Sequence, residues 1–128
     1  MTYFSGDIVH INFPFTEGDT SLGTPRFKAR PALVVTDADA NGDFVTVALS
    51  TKGHHDNCLE LKTADLANGR FNQASYVRAD KLFTVNVEAV QSKVAVAKPE
   101  LLTRVRKLLC RTNFSVFTSP FDIVIRAK

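Results

Sequence analysis

Apolar and polar residues follow one another along the chain in short blocks separated by polar turns. Residues 8–13 alternate between apolar and polar from Val9 onward, which is the pattern of a strand with one buried face, and Pro14 is expected to end that strand. Apolar runs of similar length, several of them rich in β-branched residues, predict further strands at residues 31–36, 44–49, 58–61, 75–82 and 94–96.

The pattern changes to a helical period near the end of the chain. Lys98, Pro99 and Glu100 form a typical helix start, because proline is tolerated in the first turn and a carboxylate is favourable there. Apolar residues then recur at helical spacing at Leu101, Leu102, Val105, Leu108 and Leu109. Residues 111–113 are expected to end the helix, and the aromatic residues that follow predict an added strand or an interface segment.

Polar segments separate the predicted strands. Residues 37–43 contain Asn41-Gly42, which favours a tight turn with positive φ. Residues 16–28 predict a long loop that is basic at its end, residues 63–73 predict another, and residues 83–90 have no regular pattern. Strands joined by polar loops and followed by one helix indicate a mainly β fold with α, in which a small, strongly curved sheet or barrel is closed by a C-terminal helix.

Residues 75–82 carry the most informative charged pattern. Tyr76, Arg78 and Asp80 occupy alternate positions and therefore share one face of the predicted strand. An arginine and an aspartate placed in this way form either a surface ion pair or the acid and base of one site. The residues alone leave both interpretations open.

Two other positions suit an anion. Pro31 restricts the backbone of Arg30, so we expect Arg30 at the mouth of the strand at residues 31–36, where it either binds a phosphate or only caps the strand. Ser50 and Thr51 follow a buried strand, and their hydroxyls either satisfy a turn or donate to a phosphate oxygen.

Composition narrows the class of protein. A length of 128 residues fits a single domain, predicted to span residues 1–128, and the formal net charge of +3 is compatible with an anionic partner. No apolar run is long enough to span a membrane and no signal peptide is evident, so we expect a cytoplasmic protein without membrane association.

Disulfides and metal binding are disfavoured. Cys58 and Cys110 lie far apart in the sequence, so both are expected to be free thiols. Adjacent side chains of an extended backbone point in opposite directions, which makes His54 and His55 poor joint ligands. We therefore expect no metal and no other cofactor, and the sequence contains neither a Gly-rich phosphate-binding loop nor a nucleophile elbow.

Several segments taken together resemble the MazF/PemK (Kid) family of toxins. They occur in the family's order over residues 6 to about 110, at residues 6–9, 30–35, 47–51, 77–80 and 84–85 and in the helix from Pro99. The resemblance implies an SH3-like barrel closed by a helix that forms a homodimer. It also implies cleavage of single-stranded RNA at short sequences without a metal ion, held in check by a cognate antitoxin.

The resemblance also assigns roles to individual residues. Those implied to be catalytic are Arg30, Thr51, Arg78 and Asp80. Further contacts with RNA are expected from Arg26, Lys28, Ser50, Lys52 and His54. Phe27 and His54 are candidates for stacking on unpaired bases.

The implied reaction suits these residue types. Attack of a 2′-hydroxyl on the adjacent phosphorus needs a base, a proton for the departing 5′-oxygen and positive charge near the phosphate, and it leaves a 2′,3′-cyclic phosphate. Asp80 is expected to be the base. Arg78 is either the proton donor or, because arginine has a very high pKa, a purely electrostatic group.

The chain departs from the family pattern at three places. Residues 17–23 lack the histidine of the family's loop, Phe83 stands where the family has an arginine, and the tail from about residue 112 is additional. Three other functions therefore stay open: a gyrase poison of the related CcdB type, an RNA-binding protein that does not cleave, and a structural interaction module. The presence of all four implied catalytic residues favours cleavage.

Overall fold

The computed structural model describes residues 2–15, 26–53, 56–70 and 74–113. Within these ranges the chain forms seven strands, β1 (Asp7–Phe15), β2 (Arg26–Val34), β3 (Asp43–Ser50), β4 (Cys58–Leu61), β5 (Leu66–Asn68), β6 (Ser75–Asn86) and β7 (Val90–Ala97). They are followed by the helix α1 (Pro99–Asn113).

The seven strands form a single curled antiparallel sheet in the order β4-β6-β3-β2-β1-β7-β5. The strand β1 lies between β2 and β7 and pairs with both. The predicted fold class, a curved β structure with one C-terminal helix, is confirmed.

Apolar side chains pack on both faces of this sheet. One cluster combines strand residues with the five buried residues of α1, which are the five that the helical spacing predicts. The other cluster lies on the opposite face around Tyr3, Val9, Ile11 and Phe44. Residues 32–35 alternate between the two clusters, which explains why their sequence is an unbroken apolar run.

Two strand boundaries were predicted wrongly because proline was taken as a breaker. Pro14 lies inside β1 opposite Phe27, and Pro31 lies inside β2 opposite His10, so Arg30 occupies the middle of β2 and not its mouth. The β2–β3 ladder covers only Ala32 to Val34, and the β1–β7 ladder ends at Ile11. Among the strands that the structure describes, both prolines therefore lie where their own strand has a single partner, a position at which a missing N–H is tolerated.

Other segments are more regular than predicted. Residues 83–90 continue β6 as far as Asn86, where it is still paired with Asp43, and then form a 3-10 turn. The strand predicted at residues 94–96 is part of the longer β7. The polar stretch 63–73 includes a 3-10 turn at Thr63–Asp65 and the short β5. Cross-strand pairing overrides a weak local pattern in each case.

The turn between β2 and β3 forms as predicted. Gly42 has a φ of +83°, and a Cβ there would lie 3.1 Å from a Val87 methyl group, so both the backbone angle and the space favour glycine. Both cysteines are free. None of the described helices has the length and apolar character needed to cross a membrane. Residues 16–25 of the predicted loop and the tail from residue 114 lie outside the described residues.

Candidate active site

Arg78 and Asp80 are joined by two hydrogen bonds. Arg78 Nε donates to Asp80 Oδ1 at 3.0 Å, and a terminal guanidinium nitrogen donates to Oδ2 at 2.7 Å. This bidentate form is the strong and geometrically specific one for an arginine–carboxylate pair. The two side chains are 19% and 33% exposed, so the pair remains accessible to a ligand.

Asp80 lies in a bulge of β6. Val47 of β3 is opposite Leu82, and Ala48 is opposite Arg78, so residues 79–81 have no counterpart on β3. In a regular strand, residues two apart are separated by about 7 Å. Because a bulge bends its strand and redirects side chains, it accounts for the close approach of the Asp80 carboxylate to the guanidinium.

Two neighbouring segments hold the backbone of this bulge. The Ala79 amide donates to the carbonyl oxygen of Asn57 at 2.9 Å, and the Ala79 carbonyl accepts from Asn113 Nδ2 at 2.9 Å. Thr112 Oγ1 in turn donates to Asn57 Oδ1 at 3.4 Å. The last two residues of α1 therefore support the segment that carries Asp80.

The pair shifts the protonation equilibria of both groups. The hydrogen bond to Asp80 raises the pKa of Arg78, against the opposing effect of burial, so the guanidinium stays charged. The hydrogen bond from Arg78 lowers the pKa of Asp80, again against burial. Asp80 is thus an ionised but weak base while it is paired, and a phosphate that displaces it from Arg78 would restore its basicity.

Arg30 lies on the same face of the sheet as Arg78. Arg78 is opposite Ala48, and Ala48 is opposite Ala32, so these three residues form one row across β6, β3 and β2. Arg30 is exposed two positions further along β2 and therefore shares this face. Arg30 lies just beyond the end of the β2–β3 ladder, which begins at Ala32. Of the two alanines, Ala48 is partly exposed, whereas Ala32 is fully buried in the cluster around Phe44.

The hydroxyl residues lie where β3 ends. Ser50 is opposite Tyr76, and its Oγ accepts the amide N–H of Lys52 at 3.1 Å, so it stabilises the turn and keeps its own proton to donate. Thr51 and Lys52 are exposed at the bend that follows. A Cβ on Gly53 would overlap the Tyr76 ring, which shows that this turn packs directly on a residue of β6.

The structure thus brings together two of the four predicted catalytic residues, Arg78 and Asp80, and places Arg30 two strands away and Thr51 on the adjoining turn. Among the predicted RNA contacts, Arg26, Lys28 and the stacking candidate Phe27 belong to β2, and His54 lies outside the described residues. Within the described ranges, no three His, Cys, Asp or Glu residues lie close enough together to hold a metal ion.

The supporting residues were not predicted from the sequence. Asn113 gives no signal beyond that of an ordinary helix end, and Asn57 contributes its backbone carbonyl to the bulge, which any residue could do. Gly53 could have been singled out from the sequence, because a glycine at the end of a strand indicates that another part of the chain packs closely against the backbone there.

Chemically, the arrangement offers fixed positive charge and one carboxylate on an open surface. Arg78 and Arg30 are able to bind phosphate oxygens, and Asp80 is able to accept a proton from a group bound beside Arg78. Such a surface fits a polyanionic chain better than a small enclosed substrate.

Comparisons with known proteins point to one family. The family described as PemK-like, MazF-like toxin of type II toxin-antitoxin system matches residues 5–112. No protein of curated function matches the chain.

Solved structures share the fold at low sequence identity. MazF from Deinococcus radiodurans has 20% identity and a TM-score of 0.62, over 93% of this chain and 99% of that one. The MazE–MazF complex of the same organism gives 20% identity and a TM-score of 0.62, over 84% and 92%. An endoribonuclease from a mycobacterial species, in complex with its cognate antitoxin, gives 17% identity and a TM-score of 0.62, over 84% and 91%.

Proposed function

Because this chain belongs to the family of PemK-like, MazF-like toxins of type II toxin–antitoxin systems, we propose that it is an endoribonuclease that cleaves single-stranded RNA at selected sequences. The bidentate Arg78–Asp80 pair carries this proposal, since it places a proton acceptor and a fixed cation at one accessible point. The endoribonuclease and MazF proteins that share the fold support it.

The reaction proceeds by attack of an RNA 2′-oxygen on the adjacent phosphorus. The new bond from the 2′-oxygen to phosphorus forms as the bond to the 5′-oxygen breaks, Asp80 takes the 2′-hydroxyl proton, and the 5′-oxygen is protonated as it leaves. The products are a 2′,3′-cyclic phosphate and a 5′-hydroxyl. These steps require no metal ion.

Arg78 acts mainly through its charge. Its raised pKa makes it a poor proton donor, so water protonates the leaving oxygen while Arg78 stabilises the extra negative charge on the phosphate. Binding of the phosphate to the guanidinium releases Asp80 from its ion pair, so substrate binding itself activates the base.

Arg30 and Thr51 hold the RNA beside this pair. Arg30 contacts a phosphate further along the face that carries Arg78, and the Thr51 hydroxyl donates to a non-bridging oxygen. The cations at Arg26, Lys28 and Lys52 extend the path of the backbone, with Ser50 and His54 as further contacts.

The partners follow from the same family. The single domain, residues 1–128 with its additional tail, forms a homodimer in the cytoplasm, and a cognate antitoxin covers the RNA-binding face. An acidic, partly disordered antitoxin segment suits the cations on this face.

The test is cleavage of a long single-stranded RNA in excess EDTA, with the cut ends mapped. Wild-type protein should cut at a recurring short sequence and leave cyclic phosphate ends, and Arg78→Ala and Asp80→Ala should each lose the activity. Arg104→Ala is the matched control, because Arg104 forms an ion pair of the same 2.7 Å length with Asp65 away from the site.

RNA that stays intact at concentrations where the protein binds it would refute the cleavage mechanism. Inhibition of DNA gyrase by the same preparation would then assign the chain to the CcdB type of toxin. Cleavage that survives in Asp80→Ala would instead refute the role of Asp80 as the base.

A further inference from the structure

An exposed aromatic ring lies beside the Arg78–Asp80 pair. Phe83 is 39% exposed, a high value for a large apolar side chain within a sheet. Phe83 is opposite Thr46 on β3, and Arg78 is opposite Ala48, so Phe83 and Arg78 lie on the same face. The two rows are adjacent on this face, about 7 Å apart along β3.

The backbone beneath the ring is fixed. Thr46 is fully buried, and its Oγ1 donates to the carbonyl oxygen of Phe83 at 3.2 Å. The β3–β6 ladder is continuous from Leu82 to Asn86. The ring therefore projects from a rigid strand directly after the bulge, which favours a preorganised binding platform over an adaptable loop contact.

The neighbouring apolar side chain does not extend this surface. Leu82 is 40% exposed but is opposite Val47, a buried residue of the cluster that packs on α1, so it faces the other side of the sheet. Within β6, all of which the structure describes, Phe83 is therefore the one exposed large apolar residue on the face of Arg78, and it offers a single ring. That size and setting suit a single planar base attached to a phosphate better than a protein interface.

We propose that Phe83 is a stacking platform for the nucleobase next to the phosphate held by Arg78, and so contributes to the choice of cleavage sequence. This inference rests on the proposed ribonuclease function and adds a base-binding subsite to it. The strength of stacking depends on the shape of the base, but an aromatic ring accepts several bases. Phe83 therefore contributes more to the affinity for RNA than to sequence selectivity.

Fluorescence offers a direct test, because the sequence contains no tryptophan. Phe83→Trp introduces a single reporter at the platform, and Leu82→Trp introduces a matched reporter of similar exposure on the opposite face. The probes are a 2′-O-methyl oligonucleotide pool of random sequence, which resists attack by its own 2′-oxygens, and an abasic oligonucleotide with the same phosphates.

We expect the oligonucleotide with bases to quench Phe83→Trp strongly, the abasic one to leave it nearly unchanged, and neither to affect Leu82→Trp. Equal quenching by both oligonucleotides, or equal quenching of both variants, would overturn the proposal.

Kinetics provide the second measurement. Removing the ring in Phe83→Ala should raise KM for RNA by about 5- to 100-fold with a smaller change in kcat, since base–aromatic stacking acts on binding. Phe83→Tyr should stay within about threefold of wild type, and Leu82→Ala should have no comparable effect. A KM in Phe83→Ala equal to that in Leu82→Ala would refute the platform.

Different results would refute the ribonuclease function and the Phe83 subsite. Absence of cleavage by wild-type protein refutes the ribonuclease function, whereas the fluorescence of Phe83→Trp with the uncleavable probe still reports on stacking. Normal cleavage together with an unchanged KM in Phe83→Ala refutes only the subsite.

Discussion

The Arg78–Asp80 pair contributes little to the stability of the fold. With side chains 19% and 33% exposed, it resembles surface ion pairs, which stabilise proteins by about 0–1 kcal/mol. Its proposed role is chemical, because in the ribonuclease mechanism it keeps a carboxylate ionised beside a cation until a phosphate separates them.

The pH dependence of Asp80 follows from this pairing. The pKa of Asp80 is lowered in the folded protein, so its stabilising contribution is present above the pKa of an unfolded aspartate and is lost as pH falls through the lower folded pKa. A carboxyl ¹³C NMR titration should show Asp80 titrating below the usual aspartate range. In Arg78→Met the pKa should rise, because the largest cause of its lowering is removed, and an unchanged titration would show that Arg78 does not control the carboxylate.

Gly53 leaves room for the Tyr76 ring, and a compensating mutation at Tyr76 tests this steric role. In Gly53→Ala the new methyl group conflicts with the Tyr76 ring, so the turn carrying Thr51 must move. We expect at least a tenfold loss in kcat/KM for RNA, while unfolding by urea shows a loss of only about 1–2 kcal/mol. Replacing Tyr76 with a smaller residue in the Gly53→Ala background should restore part of the activity, and failure to do so would contradict this explanation.

At the scale of elements, the end of α1 is connected to the bulge that carries Asp80. Asn113→Ala removes the side-chain donor to the Ala79 carbonyl. We expect kcat to fall by about 10- to 100-fold, because displacing a catalytic group by about 1 Å is costly. KM should change less, since the RNA-binding side chains stay in place.

Two variants control for this effect. Thr103→Ala removes a hydrogen bond within α1, from its hydroxyl to the Pro99 carbonyl, and should leave kcat unchanged. Asn113→Asp keeps the shape but removes the donor, so it should behave like Asn113→Ala. A kcat for Asn113→Ala equal to that of Thr103→Ala would show that α1 does not position Asp80.

Local sequence patterns predicted the elements better than their boundaries. The helix and its buried residues follow from spacing alone. Spacing also predicted that Arg78 and Asp80 lie together, but their bidentate contact depends on the bulge as well. The positions of Pro14 and Pro31 inside strands depend on which neighbours each strand has, and no local pattern encodes that. The bulge likewise depends on pairing between β3 and β6, so the contacts of Ala79 could not be predicted.

At the scale of the whole molecule, stability comes from two apolar clusters separated by the sheet. Leu101→Ala opens a cavity in the cluster under α1 and should cost about 2–5 kcal/mol, and Phe44→Ala on the other face should cost about 3–5 kcal/mol. Both residues are almost fully buried. Urea unfolding measures both values, and Phe4→Ala, at an exposed site, should stay within about 0.5 kcal/mol of wild type.

The pairing of β1 with β7 has a consequence for how the protein acquires its structure. Asp7 is opposite Val96, so a strand near the start of the chain needs one that is synthesised much later. Pairings between such distant segments make folding slow. Most of the chain must therefore leave the ribosome before β1 has both partners. During most of its translation, the nascent toxin cannot complete its sheet and is not fully folded.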